Sequence, residues 1–335
     1  MLTFVRGNLF ESPAKVLVNT VNTVGVMGKG IALTFKQTYP DMFRRYQSLC
    51  ERNELEVGKL WLYKTDHKWI LNFPTKRHWR NPSRLEYIEA GLAKFVETYA
   101  DHGITSVAFP ELGCGNGELA WETVRPLMAR YLRRLPINVY IYLYDRDGST
   151  TVEHRDVATM RDWLRREPRS LPFSEFWSDI KAAIRSGLRL STAGDRPTEF
   201  TVDVVDYERE GLMIYLGTRT WFQHFRDTVR HVLNEATHKW RFTSDRSVYI
   251  PDESLLDLWQ GVRFYGFCFK KMMPDGLDQF ADFLLPLFRQ LDYLRPVQLS
   301  DSQDASVTAM EYALQLYVNE RSADPAERQL QLISA

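Results

Sequence analysis

Two glycine-rich loops, each entered from an apolar run and left into a helix-forming stretch, constrain this chain more than any other feature. The first lies in residues 18–32, Val-Asn-Thr-Val-Asn-Thr-Val-Gly-Val-Met-Gly-Lys-Gly-Ile-Ala; the second is 110–117, Pro-Glu-Leu-Gly-Cys-Gly-Asn-Gly. Gly25, Gly28 and Gly30 let backbone N–H groups approach a bound anion, and the following helix would add its positive end. Two such loops could grip the two ends of a pyrophosphate. A tight strand-to-helix turn without any ligand is the competing reading. The GxxxxGK[ST] pattern is absent, and no GxGxxG follows a strand, so neither common nucleotide fingerprint applies.

Around these loops the pattern alternates. Strands are predicted at 2–5, 16–18, 106–109 and 138–144, with a hairpin from 60–63 and 69–73. Helices are predicted over 31–39, stopped by Pro40; from a cap at Asp41 to 49; from a Ser83–Glu86 capping box through the face Leu85, Ile88, Leu92 and Phe95; and over 121–132. This alternation predicts an α/β mixed sheet flanked by helices, with its ligand at the strand C-termini. At 335 residues and 44% hydrophobic, the chain can bury two cores.

Residues 151–170 read as a polar junction and 171–321 as a second, α+β domain, with 322–335 a flexible tail. Within it we expect a helix at 175–187, a hairpin from 200–206 and 212–216, and helices at 221–236 and 306–319. His224, His231 and His238 recur every seven residues, yet no carboxylate or cysteine spacing supports a metal, and a packed or solvated helix face explains them. Cys50, Cys114 and Cys268 are too few and too scattered for a disulfide framework. No cofactor and no metal is expected. With no long apolar run and no signal-peptide pattern, the reading is a cytoplasmic protein with no membrane partner. Residues 1–150 hold 20 Lys+Arg against 15 Asp+Glu, and the remainder 23 against 28, which suits a basic substrate-facing half and an acidic partner-facing one.

Chemistry concentrates in the loop 74–82, Pro-Thr-Lys-Arg-His-Trp-Arg-Asn-Pro. A lysine attacks a sugar carbon only as the free amine, which burial or neighbouring cations promote. Lys76 has Arg77, His78 and Arg80 beside it; a solvated basic loop is the alternative. The same cluster suits a DNA strand, with Arg77 and Arg80 on phosphates. Trp79 either stacks on a base or packs beside Pro82.

Arg6-Gly7-Asn8-Leu9-Phe10, the 19–30 loop and the 113–117 loop together resemble the macrodomain family, whose members bind ADP-ribose. Within it, Gly28-Lys29-Gly30-Ile31-Ala32 and Phe73-Pro74-Thr75-Lys76 are similar to the branch holding the terminal ADP-ribose glycohydrolase and the DarG-like antitoxins, the latter being the better match. The resemblance covers residues 1–150. It implies an ADP-ribosyl glycohydrolase that removes ADP-ribose from thymidine bases of single-stranded DNA, reversing a DarT-type toxin that the second domain binds. The alternatives are a non-catalytic ADP-ribose-binding module and a protein that only sequesters the toxin.

The resemblance also implies roles. Lys76 is the catalytic lysine, and Asn22 orients the distal ribose. Asn8, Leu9, Asn19, Thr20, Gly28, Lys29, Gly30, Ile31, Gly113, Cys114, Gly115, Asn116 and Gly117 line the ligand, with Asn8 where many relatives hold adenine with an acid and Asn19 mostly a turn cap. The aspartate that assists the lysine in the terminal glycohydrolase aligns with Gly117, so the assisting base is open. Glu118 is one candidate; the start of the next helix, where an anion suits the dipole, is its other reading.

Overall fold

The computed structural model describes residues 1–144, 153–185, 188–192, 197–206, 209–216, 241–244, 247–299 and 311–317. The chain divides into two compact units, Met1–Trp163 and Leu164–Ala335.

The first unit is built on a six-stranded sheet. Its strands are β1 (Leu2–Arg6), β2 (Val16–Val21), β3 (Trp61–Lys64), β4 (Trp69–Pro74), β5 (Ser106–Pro110) and β6 (Asn138–Leu143), in the order β1-β6-β5-β2-β4-β3. All neighbours are parallel except β3, which joins β4 as the antiparallel hairpin that the sequence predicted. Successive side chains on a strand point to opposite faces, so a sheet covered on both sides is largely apolar on both faces of its central strands. Val16 and Val18 of β2, Val107 and Phe109 of β5, and Val139 and Ile141 of β6 enter one core with α3 (Leu85–Thr98) and α4 (Trp121–Leu132). Leu17, Ile70, Ala108 and Tyr142 enter the other, with α1 (Gly30–Thr38) and α2 (Pro40–Glu51). The unit closes with α5 (Val157–Arg166), within which the division between units falls.

Two expected helix starts are corrected. Helix α2 begins at Pro40, whose missing N–H costs nothing at a first helical position, so Asp41 lies inside the first turn and caps nothing. Helix α3 has Arg84 at its N-cap with no side-chain cap bond. Ser83, expected there, instead donates its backbone N–H to Gly117 O at 3.0 Å, and so serves the second glycine loop.

In the second unit, α6 (Phe173–Ile184) precedes β7 (Arg189–Ser191), β8 (Glu199–Asp206), β9 (Glu210–Leu216), β10 (Arg241–Ser244) and β11 (Ser247–Pro251), an antiparallel sheet ordered β10-β11-β9-β8-β7. Then α7 (Asp252–Tyr265), β12 (Phe267–Phe269), α8 (Ala281–Phe288), β13 (Leu294–Leu299) and β14 (Glu311–Leu316) follow, the strands forming a three-stranded sheet with β14 in the middle. Phe176 of α6 stacks on Trp259 of α7 at 4.2 Å between ring centroids, and Trp259 donates its indole N–H to Leu171 O. The helix expected at 306–319 is overturned over its described part. Glu-Tyr-Ala-Leu-Gln-Leu favours a helix locally, but pairing on both edges with β12 and β13 overrides that preference. The expected helix at 221–236, the three histidines His224, His231 and His238, and the tail 322–335 lie outside the described residues.

Candidate functional site

The parallel pairing of β2 with β4 ends at Val21↔Pro74, and its hydrogen bonding continues past the strands. Thr75 N–H donates to Val21 O at 2.9 Å; Thr23 donates to Arg77 O through its N–H at 3.3 Å and its hydroxyl at 2.7 Å. Lys76 sits between these two backbone anchors. It is only 5% exposed, and its Nζ donates to Asn116 O at 2.6 Å. An amine thus reaches from the end of β4 to the second glycine loop.

The two glycine loops face each other across a cleft of about 1090 Å³. Asn8, Thr20, Asn22, Lys29, Gly30, Ile31 and Lys76 line one part, and Gly113, Cys114, Gly115, Asn116 and Gly117 the other. Gly30 has φ +57°, and a Cβ there would lie 2.9 Å from Asn116 Nδ2, so the loops close on each other only without that side chain. Gly117 is tighter: a Cβ would meet Ser83 Oγ at 2.2 Å and Gly113 O at 2.3 Å.

Three expected lining residues stand elsewhere. Leu9 is buried in the core against α1 and α2. Gly28 packs under α5, where a Cβ would fall 2.2 Å from Met160 Cε. Asn19 is fully buried within β2 and donates to Asn72 Oδ1 at 2.9 Å. The turn-forming role expected of Asn19 falls to Asn22. Its Oδ1 accepts from Val24 and Val26 N–H, its Nδ2 donates to Val26 O at 2.6 Å, and Tyr46 Oη donates to its backbone O at 2.7 Å. Asn22 therefore lines the cleft while its amide holds the loop. Cys114 is buried beside the cleft as a small packed residue.

Glu118 holds φ +60° two residues before Ala120, the N-cap of α4, so it does not sit on that helix's first turn. Its carboxylate accepts from His154 Nε2 at 2.7 Å and pairs with Arg155 at 2.5 Å. The His154 hydrogen bond, then the Arg155 charge, hold it below the usual carboxylate range. Glu118 also lines the cleft as an ionised carboxylate.

The basic loop is corrected at two residues. Trp79 is fully buried, with its indole N–H unpartnered among the described residues, so its ring is not offered to a DNA base. His78 is not a cation at neutral pH. Burial, then Arg80 and Arg161, push its pKa down to about 4, and its Nδ1 accepts from Arg80 N–H. Arg77 stays exposed, its guanidinium 5.7 Å from the Tyr87 ring, and Arg80 lies 4.9 Å over Trp79. The unfolded chain binds the His78 proton near pH 6.5 and the folded chain near 4, so stability is fully present above 6.5 and lost as pH falls through this window. That loss is about 3 kcal/mol. Denaturation of a His78→Gln variant between those pH values should show a flatter acid limb; an unchanged slope would mean His78 is not the group responsible.

Thr34 and Thr38, also on the cleft, were missed by sequence reasoning, although their i,i+4 spacing on the helix after the first loop was the available signal. Among the described residues no group of three His, Cys, Asp or Glu is placed to hold a metal.

Known proteins align with this same region. The family model described as Macro domain matches residues 18–128. The DNA ADP-ribosyl glycohydrolase of Thermus aquaticus is 47% identical over 147 residues, covering 42% of this chain and 41% of that protein. A DNA ADP-ribosyl transferase–DNA ADP-ribosyl glycohydrolase fusion protein of Thermosipho africanus is 45% identical over 161 residues, 42% of each chain. The solved Thermosipho africanus DarTG in complex with ADP-ribose is 45% identical, covers 46% of this chain and 44% of its own, and superposes with a TM-score of 0.42. The chain thus spans about two-fifths of the length of the curated relatives it matches. Its N-terminal unit belongs to the macrodomain family, with DarG macrodomains among its relatives.

Proposed function

We propose that this chain is a DarG-like antitoxin whose macrodomain releases ADP-ribose from thymidine bases of single-stranded DNA. The observation that carries the reading is the buried amine of Lys76, fixed 2.6 Å from Asn116 O between two glycine loops. A macrodomain that only bound its ligand would have no need to bury a lysine there. The names of relatives at 45–47% identity, DNA ADP-ribosyl glycohydrolases, support the same reaction and the same substrate class.

On this reading the loop amides hold the diphosphate, since Gly115, Asn116 and Gly117 present N–H groups that no backbone acceptor of the described residues takes. Lys76 acts on the ribose carbon bonded to the base, with its positive form held by Asn116 O until it gives up a proton. Glu118, an ionised carboxylate on the cleft wall, is a candidate to take one. Incubation with an ADP-ribosylated oligonucleotide should yield free ADP-ribose and unmodified DNA; a ligand that binds and persists would favour the non-catalytic module.

The second unit then serves as the toxin-binding part. The fusion relative's name joins a DNA ADP-ribosyl transferase to the glycohydrolase in one protein, which supports a transferase as partner. The full chain, purified with a DarT-type transferase, should elute with it as one complex; separate elution would leave enzymatic reversal as the whole antitoxin activity.

A further inference from the structure

Outside the cleft, the first unit carries a second concavity of about 830 Å³ that no role so far absorbs. It runs along the outer side of α4, against the edge strand β1. Arg125, Arg130, Arg133 and Arg134 line it, all exposed, with Phe4 and the single acid Glu122. The spacing explains the grouping. Positions 125, 129 and 133, the last being the C-cap, lie one turn apart on one helix row, with 130 on the next and 134 in the turn just past the helix, so the small Ala129 leaves a floor between the arginines.

Like charges one turn apart repel, and this helix does little to offset the repulsion. Arg130 pairs with Glu89. Among the described residues Arg125, Arg133 and Arg134 have no acidic partner; Arg125 only lies over the Phe4 ring, 5.4 Å from its centroid. Phe4 is 37% exposed, large for an apolar ring, and meets Trp121 edge-on at 6.4 Å. Exposed guanidinium groups beside an aromatic ring suit a single-stranded nucleic acid, the cations tracking phosphates and the ring taking a base. The two linings are neighbours in the chain: Leu119 and Ala120 line the cleft, and Glu122 lines the groove.

We infer that this arginine groove is a second binding site, for the phosphate backbone of the DNA strand flanking the modified nucleotide. The inference rests on the reading of DNA as the substrate, and it supplies what the buried Trp79 cannot. From Arg125 to the C-cap Arg133 the groove follows about 12 Å of α4, with Arg134 just past its end, so it grips several nucleotides without reading their sequence. Affinity then grows with strand length on either side of the lesion, while the reacting sugar is still held by the cleft alone.

The test uses the full chain and a fluorescent, unmodified DNA strand of about 20 nucleotides, longer than the ~4–16 covered by one single-strand site. Arg125→Gln, Arg133→Gln and Arg134→Gln are combined in one variant. Each lost phosphate contact flattens the dependence of log affinity on log salt by about 0.7, so the slope should drop by about 2. A control variant, Arg52→Gln, Lys59→Gln and Lys94→Gln, removes the same charge elsewhere and should keep the wild-type slope. ADP-ribose affinity and melting temperature report on folding in both. With ADP-ribosylated strands, the groove variant should lose the KM advantage of long over short substrates at unchanged kcat. Equal slopes for the two variants, or wild-type binding by the groove variant, would overturn the inference. Because the binding arm uses unmodified DNA, it decides the matter even if no ADP-ribose is ever released.

Discussion

Lys76→Ala should lower the release of ADP-ribose from modified DNA by about 10³-fold, the scale lost when a positioned proton-transfer group is removed. Calorimetric ADP-ribose affinity should hardly change, because the loop amides and not the amine carry the diphosphate. The variant leaves Asn116 O without its buried donor, at a cost of about 1–3 kcal/mol, so melting must be followed alongside turnover. Lys76→Arg is the sharper companion. A guanidinium keeps the charge and can still donate, but it never becomes a free base. Both variants should therefore fail alike. Full turnover by Lys76→Arg would mean that the site needs a cation there and not an amine, and full turnover by Lys76→Ala would move the chemistry elsewhere.

Trp79→Ala should destabilise the chain by about 3–5 kcal/mol, the cost of emptying the space of a large buried ring. The residue is fully buried, packed against His78 with 5.3 Å between ring centroids. Trp79→Phe keeps most of the volume and removes an N–H that has no acceptor among the described residues, so it should cost much less. Denaturant midpoints separate the two. A Trp79→Ala protein of normal stability that loses DNA affinity would return the ring to the surface role.

The first unit was legible because its central strands are apolar on both faces and its hairpin and helices are short and well punctuated. What eluded the sequence depends on contacts between distant residues. Lys76 stood out only through the family resemblance of its loop, and its bond to Asn116 spans the fold and has no local signature. Asn19 and Asn22 both offered a turn cap, and Asn19 was the one expected to supply it. The strand ends at Val21, so Asn19 is still inside the sheet facing Asn72 while Asn22 is the first residue free to organise the turn. Ser83 looked like a helix cap and is tied to Gly117, and residues 311–316 read as a helix and pair as a central strand. In each case a partner many residues away outweighed the local preference.

Gly28 carries one more consequence. It lacks a side chain because Met160 and Trp163 occupy the space above it, and Lys36 closes the same corner over the Trp163 ring. The stretch that matches the family ends at residue 128, well short of these two. The first glycine loop is thus roofed by a helix that the shared family segment does not supply. A fragment cut at residue 150 would keep every residue that lines the cleft, the last being Tyr144, yet would leave the outer surface of the loop at Gly28 bare.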